Sequence, residues 1–262
     1  MSVPPRHRLA TSLVLGLLIT TRGLAALGDP SLLAAPGAAE AVGLVTPTHL
    51  APVCLAKEDW PGVLRAAADL QADIARVTGR KPGLLAGTLP ASAPTAVLVG
   101  TLGRSSLIDG LVSSGKLDAG AIRGQWEAFL IETVKDPVPG IRQALVIAGS
   151  DKRGTIYGIY ELSQQIGVSP WYWWANVPPV HREVLALKPG RTVHASPSVK
   201  YRGIFLNDEA PDLTNWVRAN FGDVTPAANP LAPPGVANYG REFYTRLFEV
   251  MLRLRANYLW PA

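Results

Sequence analysis

The sequence predicts an α/β protein: an N-terminal α/β sandwich-like domain followed by the first β/α unit of an incomplete TIM barrel. Three observations carry this. Between residues 48 and 195, short apolar runs alternate with segments of helical period, the pattern of a layered α/β unit. From Tyr201 to Leu206 a mostly apolar run leads straight into Asn207, Asp208 and Glu209. Such a run reads as a parallel strand buried on both faces, and carboxylates at its carboxyl end mark the face where α/β barrels carry their chemistry. A helical pattern over residues 238–256 then leads to Asn257-Tyr258-Leu259-Trp260, the start of a second strand.

The elements follow in order. Residues 29–47 are rich in Ala, Pro and Gly and read as a linker. Residues 49–55 form a candidate strand. Asp59-Trp60-Pro61 opens a helix, with Asp59 as N-cap and proline in the first turn. Leu64, Ala67, Leu70, Ile74 and Val77 follow at helical spacing until Gly79 stops it. Residues 95–99 read as a strand, 105–112 as a short helix, and 127–134 and 144–148 as two more strands. Ser150 or Asp151 caps a helix over 153–166 with Ile156, Ile159, Tyr160, Leu162 and Ile166 on its apolar face. The aromatic loop Trp171-Tyr172-Trp173-Trp174 and a proline-rich connection lead to a domain boundary near residue 195, with 196–262 as the second unit. In the helix over 238–256, Phe243, Leu247, Met251 and Leu254 form one stripe, and Glu242/Arg246 and Glu249/Arg253 are expected as i,i+4 pairs on other faces.

Composition narrows the function. Of 262 residues, 48% are hydrophobic and 17% charged, which is ordinary for a folded chain. The formal charge of +5 includes Arg6, Arg8 and Arg22 in residues 1–28, which hold no acid, so the remainder carries only +2. With no Lys/Arg block elsewhere, nucleic acid is not expected as a partner. Arg6-His7-Arg8, the apolar run LATSLVLGLLIT from Leu9 to Thr20, and Ala26-Leu27-Gly28 together resemble a signal peptide over 1–28. The expected location is therefore secreted, with no membrane span in the mature form. Cys54 is the sole cysteine, and no His/Cys cluster has metal-ligand spacing, so neither a disulfide nor a metal site is expected.

Three constellations bear on chemistry. Asn207, Asp208 and Glu209 cluster where a barrel site would lie, but neighbours in a strand point to opposite faces, so only one of Asp208 and Glu209 is expected to face the pocket unless the strand breaks into a loop here, which Pro211 allows. A second carboxylate is needed from elsewhere. The two glycines of Gly149-Ser150-Asp151-Lys152-Arg153-Gly154-Thr155 have phosphate-loop spacing, yet Thr155 stands where that motif needs lysine, so they read as turn glycines. Lys152 and Arg153 still make a cationic helix start able to meet an acidic ligand. The tryptophan loop reads as the filling of an interdomain seam, with a non-catalytic carbohydrate-binding role for residues 171–174 as the alternative.

The segments from Gly149 through the tryptophan loop to Asn176, from Ser198 to Glu209, and from Leu252 to Pro261 together resemble glycoside hydrolase family 115, the xylan α-1,2-glucuronidases. The resemblance implies an N-terminal α/β domain of the type that also precedes the barrels of family 67 glucuronidases and β-hexosaminidases. It implies inverting hydrolysis of (4-O-methyl)glucuronic acid from glucuronoxylan or aldouronic acid oligosaccharides, without metal or organic cofactor. It carries Asn207, Asp208 and Trp260 into a uronic-acid pocket, with Glu209 beside them as a second catalytic carboxylate. Lys152, Arg153 and Glu161 are substrate-binding candidates from the first domain. Because a complete barrel takes about 250 residues, this 262-residue chain is expected to be an N-terminal portion, inactive alone, with further pocket residues beyond Ala262.

Overall fold

The computed structural model describes residues 32–261, apart from Pro36, Ala39, Pro226, Ala228 and Ala232. The expected signal peptide lies outside the described residues.

The first strand arises inside the stretch expected to be a linker. Val42-Gly43-Leu44-Val45 is an apolar run behind the Ala/Gly-rich start, and it forms β1 (Val42–Thr46) with Val42, Leu44 and Val45 buried. The single strand expected over 49–55 is two, β2 (His49–Leu50) and β3 (Val53–Leu55), in different sheets. Between them lies Pro52, which has no N–H to give to a ladder. β2 folds back on β1, and β1 also pairs antiparallel with β8 (Leu185–Leu187).

β3 enters the main sheet, whose order is β4 (Leu84–Ala86), β3, β5 (Ala93–Thr101), β7 (Ile141–Gly149), β6 (Phe129–Val138), β9 (Arg191–His194). The first four are parallel, and β6 and β9 are antiparallel to their neighbours. β5 and β7 are buried along nearly their whole length because both sheet faces are covered. Val97, Val99, Leu145 and Ile147 face the core under helices α1 (Pro61–Thr78) and α3 (Lys152–Gln165), which β1 and β8 also close. Ala96, Leu98, Ala144 and Val146 face the core under α2 (Ser106–Ser113).

Helix starts follow local chemistry, with one exception to expectation. Ser105 caps α2, and Asp151 caps α3 through the Gly154 N–H at 2.7 Å. Trp60, not Asp59, is the N-cap of α1 and gives no side-chain bond. The Asp59 carboxylate instead accepts from the Trp60 N–H, the Thr101 N–H and the Thr101 hydroxyl, at 2.7, 2.8 and 2.9 Å. It ties the β3–α1 loop to the end of β5.

The second unit runs β10 (Gly203–Leu206), α4 (Asp212–Phe221), α5 (Arg241–Arg253), β11 (Tyr258–Pro261). β10 and β11 are parallel, with Gly203 opposite Tyr258 and Phe205 opposite Trp260. Leu206 and Leu259 join Val217, Phe243, Leu247, Val250 and Met251 in a core between strands and helices. The other face carries Phe205 against Trp260 and Tyr201 against Tyr258, all four exposed.

Candidate active site

At the carboxyl ends of β10 and β11 the structure brings together Asn207, Asp208, Glu209 and Trp260. Parallel pairing places Leu206 beside Pro261, so the acids and the tryptophan leave the sheet at the same end. The loop after β10 is held by its backbone. The Asp208 carbonyl accepts from the Thr214 hydroxyl and, at 3.4 Å, from the Tyr239 hydroxyl. Asn207 Oδ1 accepts from the Glu209 N–H at 3.2 Å, and Ala210-Pro211 is a cis peptide. Neither the Asp208 nor the Glu209 carboxylate makes a hydrogen bond or ion pair among the described residues. Trp260 is 60% exposed and touched edge-on by Phe205 at 5.9 Å. The rim thus offers two uncommitted carboxylates, an amide and an open aromatic face.

Lys152, Arg153 and Glu161 lie at the other end of the same strands. Arg153 Nε meets Glu127 Oε1 at 2.5 Å, and Glu127 also accepts from Asn257 Nδ2 at 2.9 Å and from Arg202 at 2.5 Å. Arg202 directly precedes β10, and Asn257 directly precedes β11. Glu161 is buried, accepts from Gln165 Nε2 at 2.8 Å and pairs with Arg255. A four-residue strand spans about 13 Å at roughly 3.3 Å per residue. Arg153 and Glu161 are therefore committed to ion pairs about a strand length from the rim acids. Lys152 has no such commitment and lines a crevice at the carboxyl edge of the main sheet.

Burial acts against the charged form of Glu127. The bonds from Asn257, Arg202 and Arg153 outweigh it and hold the carboxyl below the usual glutamate range. Glu127 also has φ 53°, an uncommon left-handed conformation, with its N–H on Asp151 Oδ2 at 2.9 Å. Sequence reasoning saw Glu127 only as the start of a strand, and an acid there gives no signal of its partners.

A second buried network lies beneath α5. Arg253 reaches Asp73 at 2.8 Å and Glu249 at 3.0 Å, so the i,i+4 pair Glu249/Arg253 expected beside the apolar stripe forms, but as a buried pair. Attraction from Asp73 outweighs burial and drives the Arg253 guanidinium further up its already high range. Asp73 was legible in part, since it sits between Leu70 and Ile74 on an apolar helix face, where an acid demands a cation. Arg246 pairs with Glu249 at 3.5 Å rather than with Glu242.

The tryptophan loop fills the seam. Trp174 stacks on Trp216 at 5.1 Å, and Trp173 meets Trp216 and Phe221 edge-on or tilted near 6 Å. Trp174 Nε1 donates to the Arg246 carbonyl at 3.2 Å. Rings packed this way against α4 and α5 are not open platforms, which removes most of the surface that a carbohydrate-binding loop over 171–174 would need. Trp171 alone stays exposed.

The model of a family described as glycosyl hydrolase family 115 matches residues 194–262, the stretch that holds β10, β11 and the rim. A solved structure described as a family GH115 4-O-methyl-α-glucuronidase, BtGH115A, with specificity for decorated arabinogalactans, is 34% identical over 81% of this chain, with a TM-score of 0.62. The chain belongs to glycosyl hydrolase family 115. It spans about a quarter of that relative, covering 25% of its length. Two fainter likenesses, both at 11% identity, carry no argument. One is a Streptomyces plicatus β-hexosaminidase variant with its GlcNAc product (67% of this chain, 27% of that one, TM-score 0.38), and the other is CpGH84D (80% and 33%, TM-score 0.43). No curated protein matches. Within family 115, this segment supplies an α/β domain bolted by Glu127 and Glu161 to the amino ends of two parallel strands, whose carboxyl ends carry free acids.

Proposed function

We propose that these residues form the N-terminal α/β domain and first barrel strands of a secreted, inverting α-glucuronidase that releases (4-O-methyl)glucuronic acid from glucuronoxylan. One observation carries the reading: Asn207, Asp208, Glu209 and Trp260 share the carboxyl end of the parallel pair β10–β11, with both carboxylates uncommitted. An inverting hydrolase needs one carboxylic acid to protonate the leaving oxygen and one carboxylate to activate water on the opposite face of the sugar, about 6.5–9.5 Å apart. Asp208 and Glu209 are chain neighbours in the loop after β10, and in this reading one of them acts with an acid from another barrel strand. We assign that role to Asp208, which is half-buried, while Glu209 stays exposed at the mouth. Trp260 stacks on the sugar ring, and Asn207 hydrogen-bonds its hydroxyls.

Two parallel strands do not close a barrel, so in this reading the 262 residues do not hydrolyse alone. The resemblance points to xylan as backbone, while the relative's description points to arabinogalactan. The experiment is an assay of glucuronic acid release by a polypeptide carrying this segment together with the remaining barrel strands. Its substrates are aldouronic acids and a glucuronic-acid-capped arabinogalactan. Release from aldouronic acids with an inverted anomer is expected. Release only from arabinogalactan would overturn the xylan assignment, and release of neither would overturn the hydrolase.

A further inference from the structure

The loops that follow β3, β5 and β7 meet at the carboxyl edge of the main sheet. α1 leaves β3 on one sheet face, and α2 leaves β5 on the other. β4 lies on the outer side of β3, whereas β7 lies beyond β5. The chain therefore reverses direction between β3 and β5, the kind of switch point where open α/β sheets form a ligand crevice. Here it has a volume of about 590 Å³ and is lined by Trp60, Thr101, Gly103, Arg104, Asp151 and Lys152, among others.

The acids at this crevice are occupied, and two of the three cations lining it are not. Asp59 is taken up by Trp60 and Thr101, and Asp151 by the N–H groups of Gly154 and Glu127. Arg153 is spent on Glu127. Arg104 and Lys152 have no carboxylate partner among the described residues. The Arg104 guanidinium lies 4.7 Å from the centre of the Trp60 ring and the Lys152 ammonium 5.9 Å from it. Two like charges thus converge on one tryptophan that is 39% exposed. The first-turn N–H groups of α3, at Lys152 and Arg153, have no acceptor within the helix and favour an anion there. The glycines around them do not cradle phosphate. A Cβ on Gly149 would strike Thr155, and one on Gly154 would strike the Ala128 carbonyl, so both serve close packing.

We propose that this crevice is a second, non-catalytic carbohydrate site that binds a uronic acid unit. The apolar face of the sugar lies on Trp60, and its carboxylate is held by Arg104, Lys152 and the start of α3. The inference rests on the uronic-acid reading above but uses none of its rim residues. Lys152 adjoins Arg153, which is fixed to the amino ends of β10 and β11, so a sugar bound here is out of reach of Asp208. The site tethers acidic polysaccharide instead of cleaving it.

The test is affinity electrophoresis of the 262-residue chain in gels of glucuronoxylan and of xylan stripped of its uronic acid. Retardation by glucuronoxylan alone is expected. Arg104→Ala with Lys152→Ala, and separately Trp60→Ala, should weaken it about tenfold, while Lys188→Ala, at an exposed cation outside the crevice, leaves it unchanged. All these side chains are at the surface, and thermal midpoints establish that the variants are folded. Equal retardation by the stripped xylan, no retardation of the unmodified chain, full retardation of the double variant, or loss on Lys188→Ala alone would each overturn the proposal. Failure here leaves the hydrolase reading standing, because that is read from product release. Retardation without hydrolysis leaves the crevice standing alone.

Discussion

Glu127 draws on three places far apart in the sequence: Arg153 at the start of α3, Arg202 before β10 and Asn257 before β11. Its side chain is 1% exposed, so removing it leaves Arg153 and Arg202 without the anion between them. Glu127→Ala should cost about 3 kcal/mol, the low end for a broken buried pair because Arg153 is half-exposed. The midpoint of urea unfolding reads this directly. The pH dependence has a definite sign. A carboxyl held lower in the folded state than in the unfolded one binds fewer protons when folded. Its stabilisation is therefore complete above the ordinary glutamate value of about 4.3 and is lost as pH falls through the lower folded value. The variant should lack that part of the acid sensitivity, and its stability should approach that of the parent chain as pH drops below about 4. A constant difference down to low pH would contradict the assignment.

Among the elements, α3 links the two units. It packs so closely against the start of β6 and against β7 that a Cβ added to Gly154 would lie 2.2 Å from the Ala128 carbonyl oxygen, and one added to Gly158 would lie 2.7 Å from Ile147 Cγ2. Gly154→Ala should lower stability by about 1–3 kcal/mol through overpacking, despite alanine being the better helix former. An unchanged or raised melting temperature would contradict the packing role. α3 was legible because its cap, apolar face and terminal Gly167 all agree. Its glycines were legible as not binding phosphate, though their reason is close approach rather than a turn. β1 was hidden by the Ala/Gly-rich run in front of it, and α4 by Pro211 and a start, Asp212-Leu213-Thr214-Asn215, that reads equally well as a loop. The split of residues 49–55 was written in Pro52 but overridden by the continuous apolar pattern.

In the whole molecule, the sequence pattern fixes the rim better than the base. Asn207 to Glu209 and Trp260 were legible because each follows an apolar run of its own, and parallel pairing then places them together. Glu161, Lys152 and Arg153 were drawn toward the same pocket by resemblance, and only the three-dimensional arrangement shows them at the opposite end of the strands. Ion pairs between residues 94 and 180 positions apart leave no local trace in sequence, so Arg255 could not be foreseen as the partner of Glu161, and Asp73 called for a cation without naming Arg253. Under the proposed function the two ends of these strands divide the labour: chemistry at the carboxyl ends, attachment at the amino ends. Comparing Asp208→Asn with Glu161→Gln, in a polypeptide that carries this segment and the remaining barrel strands, tests that division most directly. On aldouronic acids, Asp208→Asn should lower kcat about 10²–10⁴-fold with an unchanged melting temperature, while Glu161→Gln lowers the melting temperature and leaves kcat within a few-fold. Wild-type turnover by Asp208→Asn, or loss of turnover by a fully folded Glu161→Gln, would contradict the account.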